Sequence, residues 1–343
     1  GAVSGELPDI GMVDSPDMAS YVSLGVFEDI DEELQAWGEL DKFYAGPLSS
    51  CMDSKGKLHG LPNNSNCLAL LCNMDILNAA GIDNPPTTWD EFYDVCKKTT
   101  DTANSVYGFA MSAIGNEEGT FQYVPWLYSS GADVSTLDSD GAAKSLDFLA
   151  QLVSEGLMSR EVVNWGQGDA LNAFAAGKAA MLESGTWQIA QFDSGDVEIN
   201  SNYKYALLPK DEEYASVIGG ENFGVCTGSE AKSECVDFLK YMMTAQNNAD
   251  RSEERRVGKL PVRSDAAELK EFWTSDERYA VFNEAMNYAV ARGPHESWPT
   301  ISEAIYTAEQ AALLGEKSGK DAMADAAATV NPILEEVPIA AAE

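Results

Sequence analysis

The sequence predicts an α/β protein, on three observations. Strand-like and helix-like segments alternate through the first two thirds of the chain. One of the strands, Cys67 to Cys72, is an almost unbroken apolar run, as expected of a strand buried on both faces. From Ala231 onward the chain is mainly helical.

The elements follow in order. ELPDIGMVD reads as a strand ending in Asp14, with a helix from about Ser15. LPNNSN precedes the apolar run, and NMDILNAAGI follows it as a short helix stopped by Gly81. PPTTWDEF opens a second helix, with Thr88 and Glu91 at capping-box spacing. VYGFAMS is a short strand. Residues 142–157 form an amphipathic helix whose inner face is Leu146, Leu149, Val153 and Leu157. ALNAFAAG is a short helix closed by Gly177, KAAMLESG is a strand, and KYALLPK and ENFGVCTG are two more.

Composition narrows the partners. The 343 residues carry 22 Lys+Arg against 56 Asp+Glu, a formal net charge of −34. A surface this acidic repels nucleic acid and anionic membrane, which are bound through basic patches. The one basic cluster, residues 251–263, has no interleaved aromatics and reads as a solvated helix end or loop. No apolar run approaches the roughly 18 residues a membrane-spanning helix needs. Two histidines and no CxxC leave little for a zinc site or a histidine-based triad. No metal or cofactor is expected. The six cysteines read mostly as small buried hydrophobes, and Cys67 and Cys72 point to opposite faces of their strand.

Seven segments in order resemble the extracellular solute-binding proteins of ABC importers, the family that includes maltose-binding-type sugar-binding proteins. They are LPDIGMVDSPDM (7–18), HGLPNNSNCLALLCNMDILNAAGIDNPPTTWDEF (59–92), VYGFAMSA (106–113), FAAGKAAMLESGTWQI (174–189), GGENFGV (219–225), LPVRSDA (260–266) and RGPHESWPTISEAI (292–305). The resemblance implies a two-lobed periplasmic-binding-protein-like fold of type II, with discontinuous lobes joined by a hinge. It implies a first lobe of residues 1–107 plus 222–275 and a second of 108–221 plus 276–343. A strand and helix upstream of Leu7 belong to the family pattern. The resemblance also implies a monomer outside the cytoplasmic membrane, lipid-anchored or periplasmic, which passes a carbohydrate to the importer's membrane subunits. No catalytic residue is implied.

The Asn63–Asn66 cluster, taken alone, reads as a turn. A sugar site gives it another role, because hydroxyls need neutral amides and carboxylates, and sugar rings need flat aromatic faces. Asp14 at a strand end either caps the following helix or contacts ligand. Asn64 and Asn66 flank the buried strand, and Asn66 matches a family position with a polar contact. Trp126 and Trp187 lie in Gly/Ser-containing contexts, and the family match suggests stacking for each. Glu221 and Asn222 begin a strand on the hinge side. Arg292 and Trp298 lie on a Pro/Gly-broken loop. Trp37, Trp89 and Trp273 sit within helical patterns and read as packing. Two alternatives stand beside capture of a sugar. Arg292 suits a phosphorylated polyol such as glycerol phosphate on the same fold. A pair of carboxylates would serve a glycoside hydrolase.

Overall fold

The computed structural model describes residues 6–254 and 259–339. Nine strands are found among them: β1 (Ile10–Asp14), β2 (Gly60–Pro62), β3 (Leu68–Asn73), β4 (Tyr107–Ala110), β5 (Ala179–Gly185), β6 (Tyr203–Ala206), β7 (Ser216–Ile218), β8 (Glu221–Val225) and β9 (Ala289–Ala291). They form three sheets, ordered β1-β8-β2, β4-β5-β3-β6 and β7-β9. The first is antiparallel throughout, with Asp14 opposite Glu221 and Pro62 opposite Asn222. In the second, β3 runs antiparallel to β5 and β6, while β4 runs parallel to β5.

The apolar run of β3 explains its place. All six of its residues are buried. Leu68, Leu70 and Cys72 enter one core, with Phe92, Phe109, Trp126 and Leu146. Ala69 and Leu71 enter a second, with Phe174, Trp273, Tyr279 and Phe282. This is the two-residue alternation of a strand covered on both faces. The three-stranded sheet has its own cores, around Leu34, Leu61 and Val225 and around Met18 and Phe27. The molecule therefore holds two bodies, and β3 lies in the body that contains β5. This corrects the expected boundary at residue 107, because residues 68–107 group with the second body. Trp273 groups there too, so the expected boundary at 275 falls earlier in the chain. A strand apolar on both faces needs a sheet covered on both sides, and β3 has a core on each.

The local signals act as their chemistry requires. Helix Trp89–Thr99 is capped by the Thr88 hydroxyl, which accepts from Glu91 N at 3.2 Å. The Glu91 carboxylate reaches back to Thr87 N at 2.8 Å, one residue earlier than the capping box places it. Helix Met74–Ala79 is followed by Gly81 in the left-handed region. All six cysteines are unpaired and buried.

The basic cluster differs from the expected solvated loop, although residues 255–258 of it lie outside the described residues. Arg263 is 1% exposed and bridges Glu39 and Asp265 at 2.7 Å each. Arg251 donates to the Asn63 side chain, and Lys259 pairs with Glu221.

Candidate functional site

The Asn63–Asn66 cluster is a crossing between the two bodies. Asn63 N donates to Glu221 O at 2.8 Å. Ser65 exchanges backbone hydrogen bonds with Leu260, and Asn66 with Gly219, at 2.7–3.0 Å. Three extended segments thus run side by side between the bodies. Gly220 has φ +131°, and a Cβ there would lie 2.3 Å from the Asn64 carbonyl oxygen, so only glycine fits this crossing.

Neighbouring residues on extended segments face opposite ways. Gly219, Lys259 and Arg292 line a cavity of about 380 Å³. Their neighbours Ile218, Leu260 and Ala291 line another of about 620 Å³, which has no charged side chain in its wall. The crossing segments separate the two. The smaller cavity carries the charged side chains.

Its wall is built from both bodies. Asp14 ends β1 and does cap the next turn, accepting from Ser15 N at 3.1 Å. Its other oxygen lies 3.6 Å from Arg292 Nη1, so it also faces the cleft. Arg292 is 5% exposed and donates to Glu117 at 2.5 Å. Its guanidinium sits 4.5 Å from the Phe121 ring centroid. Glu117 also accepts from Trp298 Nε1 at 3.0 Å. Phe121 and Trp187 stand with ring centroids 6.1 Å apart, inclined at 38°. Trp187 projects from the first turn of helix Thr186–Ser194, directly after β5, and a Cβ on Gly185 would overlap its ring at 2.0 Å, so this glycine makes room for the indole. Glu118 accepts from Gln167 N, and Glu221 pairs with Lys259. Asn66 Oδ1 is buried and has no partner among the described residues. Asp17, close behind Asp14, has its carboxyl pushed above the ordinary value. Burial is the main cause, and the charges of Asp14 and Glu117 add to it.

Asp14, Asn66, Trp187, Glu221 and Arg292 therefore line one cavity. Four other expected contacts lie elsewhere. Trp126 is 1% exposed in the core of helix Glu117–Ser129, among Trp89, Phe92, Phe109 and Phe148. Its indole donates to Glu183 at 2.9 Å, and its Gly/Ser neighbours only end the helix. Trp298 is also 1% exposed, packed at the start of helix Trp298–Leu313, and reaches the site only by holding Glu117. Asn222 points away from the cleft and ties β8 to Ser50, donating to the Ser50 backbone oxygen at 3.1 Å. Asn64 stands behind Glu221, donating to it at 2.5 Å.

Glu117, Glu118, Phe121, Gln167 and Lys259 were not expected in the wall. The signal for the first three was present. Asn116 caps the helix through Glu118 N at 2.8 Å, so GNEEGTF marks a helix start after a sheet strand. Ligand sites in α/β folds gather at such positions.

The Trp126→Phe protein should lose roughly 1–3 kcal/mol of stability and keep its ligand affinity. Thermal melts and ligand titrations of the same preparation would check this. A large loss of affinity would return Trp126 to the site.

Fold and cleft together define a two-bodied protein that encloses a small polar ligand between its halves. A family model for bacterial extracellular solute-binding proteins matches residues 2–281, and the chain belongs to that family. The family's description places it outside the cytoplasm; among the described residues no helix is long and apolar enough to cross a membrane. The chain is similar to a solute-binding protein of Thermotoga lettingae solved with α-D-tagatose. That likeness has 29% identity and a TM-score of 0.87, over 97% of this chain and 87% of that one. A maltose-bound protein of T. maritima shares the fold at 22% identity and TM-score 0.85, over 97% and 86%. Among curated proteins, a galactooligosaccharide-binding protein of Bacillus subtilis is 25% identical over 68% of this chain and 57% of its own length. A binding protein of Brucella abortus is 24% identical over 96% and 80%.

Proposed function

We propose that this protein captures a carbohydrate in the cleft between its bodies and delivers it, unchanged, to the membrane subunits of an ABC importer. The observation that carries this reading is the corner formed by Trp187 and Phe121 beside the Asp14–Arg292–Glu117 network. The rings offer apolar faces to a sugar ring, and the network offers oriented acceptors and donors to its hydroxyls. Asp14 comes from one body, and Glu117, Phe121 and Trp187 from the other, so a ligand touching both holds them closed. The sugar-bound and sugar-named relatives support the same ligand class.

The phosphorylated-polyol reading loses its motive. The Arg292 guanidinium already faces two carboxylates and has no charge to spare for a phosphate. A hydrolase would need a proton donor, and Glu117 is committed as an acceptor to Arg292 and Trp298.

The test is a fluorescence titration against a panel of mono- and oligosaccharides. Saturable change with one sugar class is expected. Trp187→Ala should weaken binding by about tenfold or more, the affinity equivalent of one lost ring contact of ~1.5 kcal/mol. Silence across the panel from folded protein would overturn the reading.

A further inference from the structure

The charge balance of the cleft goes further than its class of ligand. Among the described residues four carboxylates line the cavity, Asp14, Glu117, Glu118 and Glu221, against two cations, Arg292 and Lys259. Each cation is already engaged. Arg292 serves Glu117 at 2.5 Å and Asp14 at 3.6 Å, and Lys259 serves Glu221. Among the described residues Glu118 has the Gln167 backbone N–H as its partner and no cation, so its charge is not cancelled by them. Asp14 shares its cation with a closer competitor. Asp17 adds a third carboxyl to the same corner; burial is the main cause that raises it, Asp14 and Glu117 add to the rise, and Arg292 opposes it. Asn66 Oδ1 adds a buried acceptor with no donor. The surplus is of acceptors and of negative charge, at the base of a cleft where low-dielectric walls concentrate the field.

A neutral sugar supplies donors through its hydroxyls and leaves the charge surplus in place. A sugar that carries an ammonium supplies donors and cancels part of it. A uronate or a sugar phosphate would add negative charge where the buried donor without a partner among the described residues, Arg292 Nε, belongs to a guanidinium already facing two carboxylates. Resting on the sugar reading above, we infer that the cleft selects a protonated amino sugar over the corresponding neutral sugar and excludes anionic sugars. Asp14 and Glu118 are the carboxylates that receive the ammonium.

The experiment is calorimetric titration of matched sets built on glucose, galactose and mannose. Each set contains the neutral sugar, its 2-amino-2-deoxy form, the N-acetylated form and the uronate. The amino sugar should bind at least tenfold tighter than its neutral parent in one set at low salt. N-acetylation, which removes the charge, should abolish the gain, and the uronate should not bind. Raising the salt concentration should shrink the gain on the wild-type protein, because partly exposed charges are screened. Asp14→Asn and Glu118→Gln should each lower amino-sugar affinity by more than they lower neutral-sugar affinity, so that the gain shrinks. If neutral sugars bind and amino sugars bind no better, this inference fails and the sugar reading stands. If no sugar of any charge binds, both fail. A gain indifferent to salt and to both substitutions would also overturn it.

Discussion

Replacing Glu309 by Gln should make the protein more stable at neutral and alkaline pH, by roughly 2–4 kcal/mol. Glu309 is fully buried in helix Trp298–Leu313, and neither of its oxygens finds a donor among the described residues. Glu183, on β5, is fully buried as well, and only its Oε2 is satisfied, by Trp126. Burial pushes both carboxyls well above their ordinary range, and the Glu183 charge raises Glu309 further. Each raised carboxyl keeps its proton in the folded state at pH values where the unfolded chain has released it. The folded state then binds more protons, so stability is full below the unfolded value near 4.5 and falls as pH rises. Melting temperatures from pH 4 to 9 should therefore decline for the wild type and flatten for Glu309→Gln. A wild-type profile that rises over that range would show that the pair is not protonated as described.

The second large effect belongs to Arg292. Arg292→Met should cost roughly 2–3 kcal/mol, below the full cost of breaking a buried pair because Glu117 and Asp14 retain partial access to solvent. Ligand binding should fall by more than tenfold, since Arg292 orients Glu117 and covers the Phe121 face. Arg292→Lys should restore only part of either property. A lysine keeps the charge but not the planar fork that lies over the ring and serves two carboxylates. Denaturant midpoints and calorimetric titrations of both variants separate the two losses. Wild-type affinity in Arg292→Met would remove Arg292 from the site.

The site was partly legible before the fold was known. Asp14, Asn66, Trp187, Glu221 and Arg292 were singled out and share one cavity. Trp126 was singled out by the same Gly/Ser context as Trp187, and Trp298 by its Pro/Gly-broken loop, and both are core. A Gly/Ser-rich neighbourhood marks a chain end or turn, and says nothing of which way the indole points from it. Only packing decided that: Trp187 leaves β5 toward the gap between bodies, and Trp126 faces the sheet. Asn222 and Glu221 are adjacent in β8, so one faces the cleft and the other Ser50. Their order could not be read without the register of the strand.

By itself the sequence determined the element types and most of their positions, because capping residues, glycine stops and hydrophobic periods act over a few residues. Thr88 starts its helix, Gly81 follows the end of another, and the apolar run at 67–72 becomes a strand buried on both faces. Only the tertiary structure decided which body β3 joins, which indoles enter the cleft, and that Asn63–Asn66 is a crossing rather than a turn. Each depends on partners more than 100 residues away, Ser216 for the backbone of β3, Glu221 for Asn64 and Gly219 for Asn66. Local chemistry can require such partners without naming them.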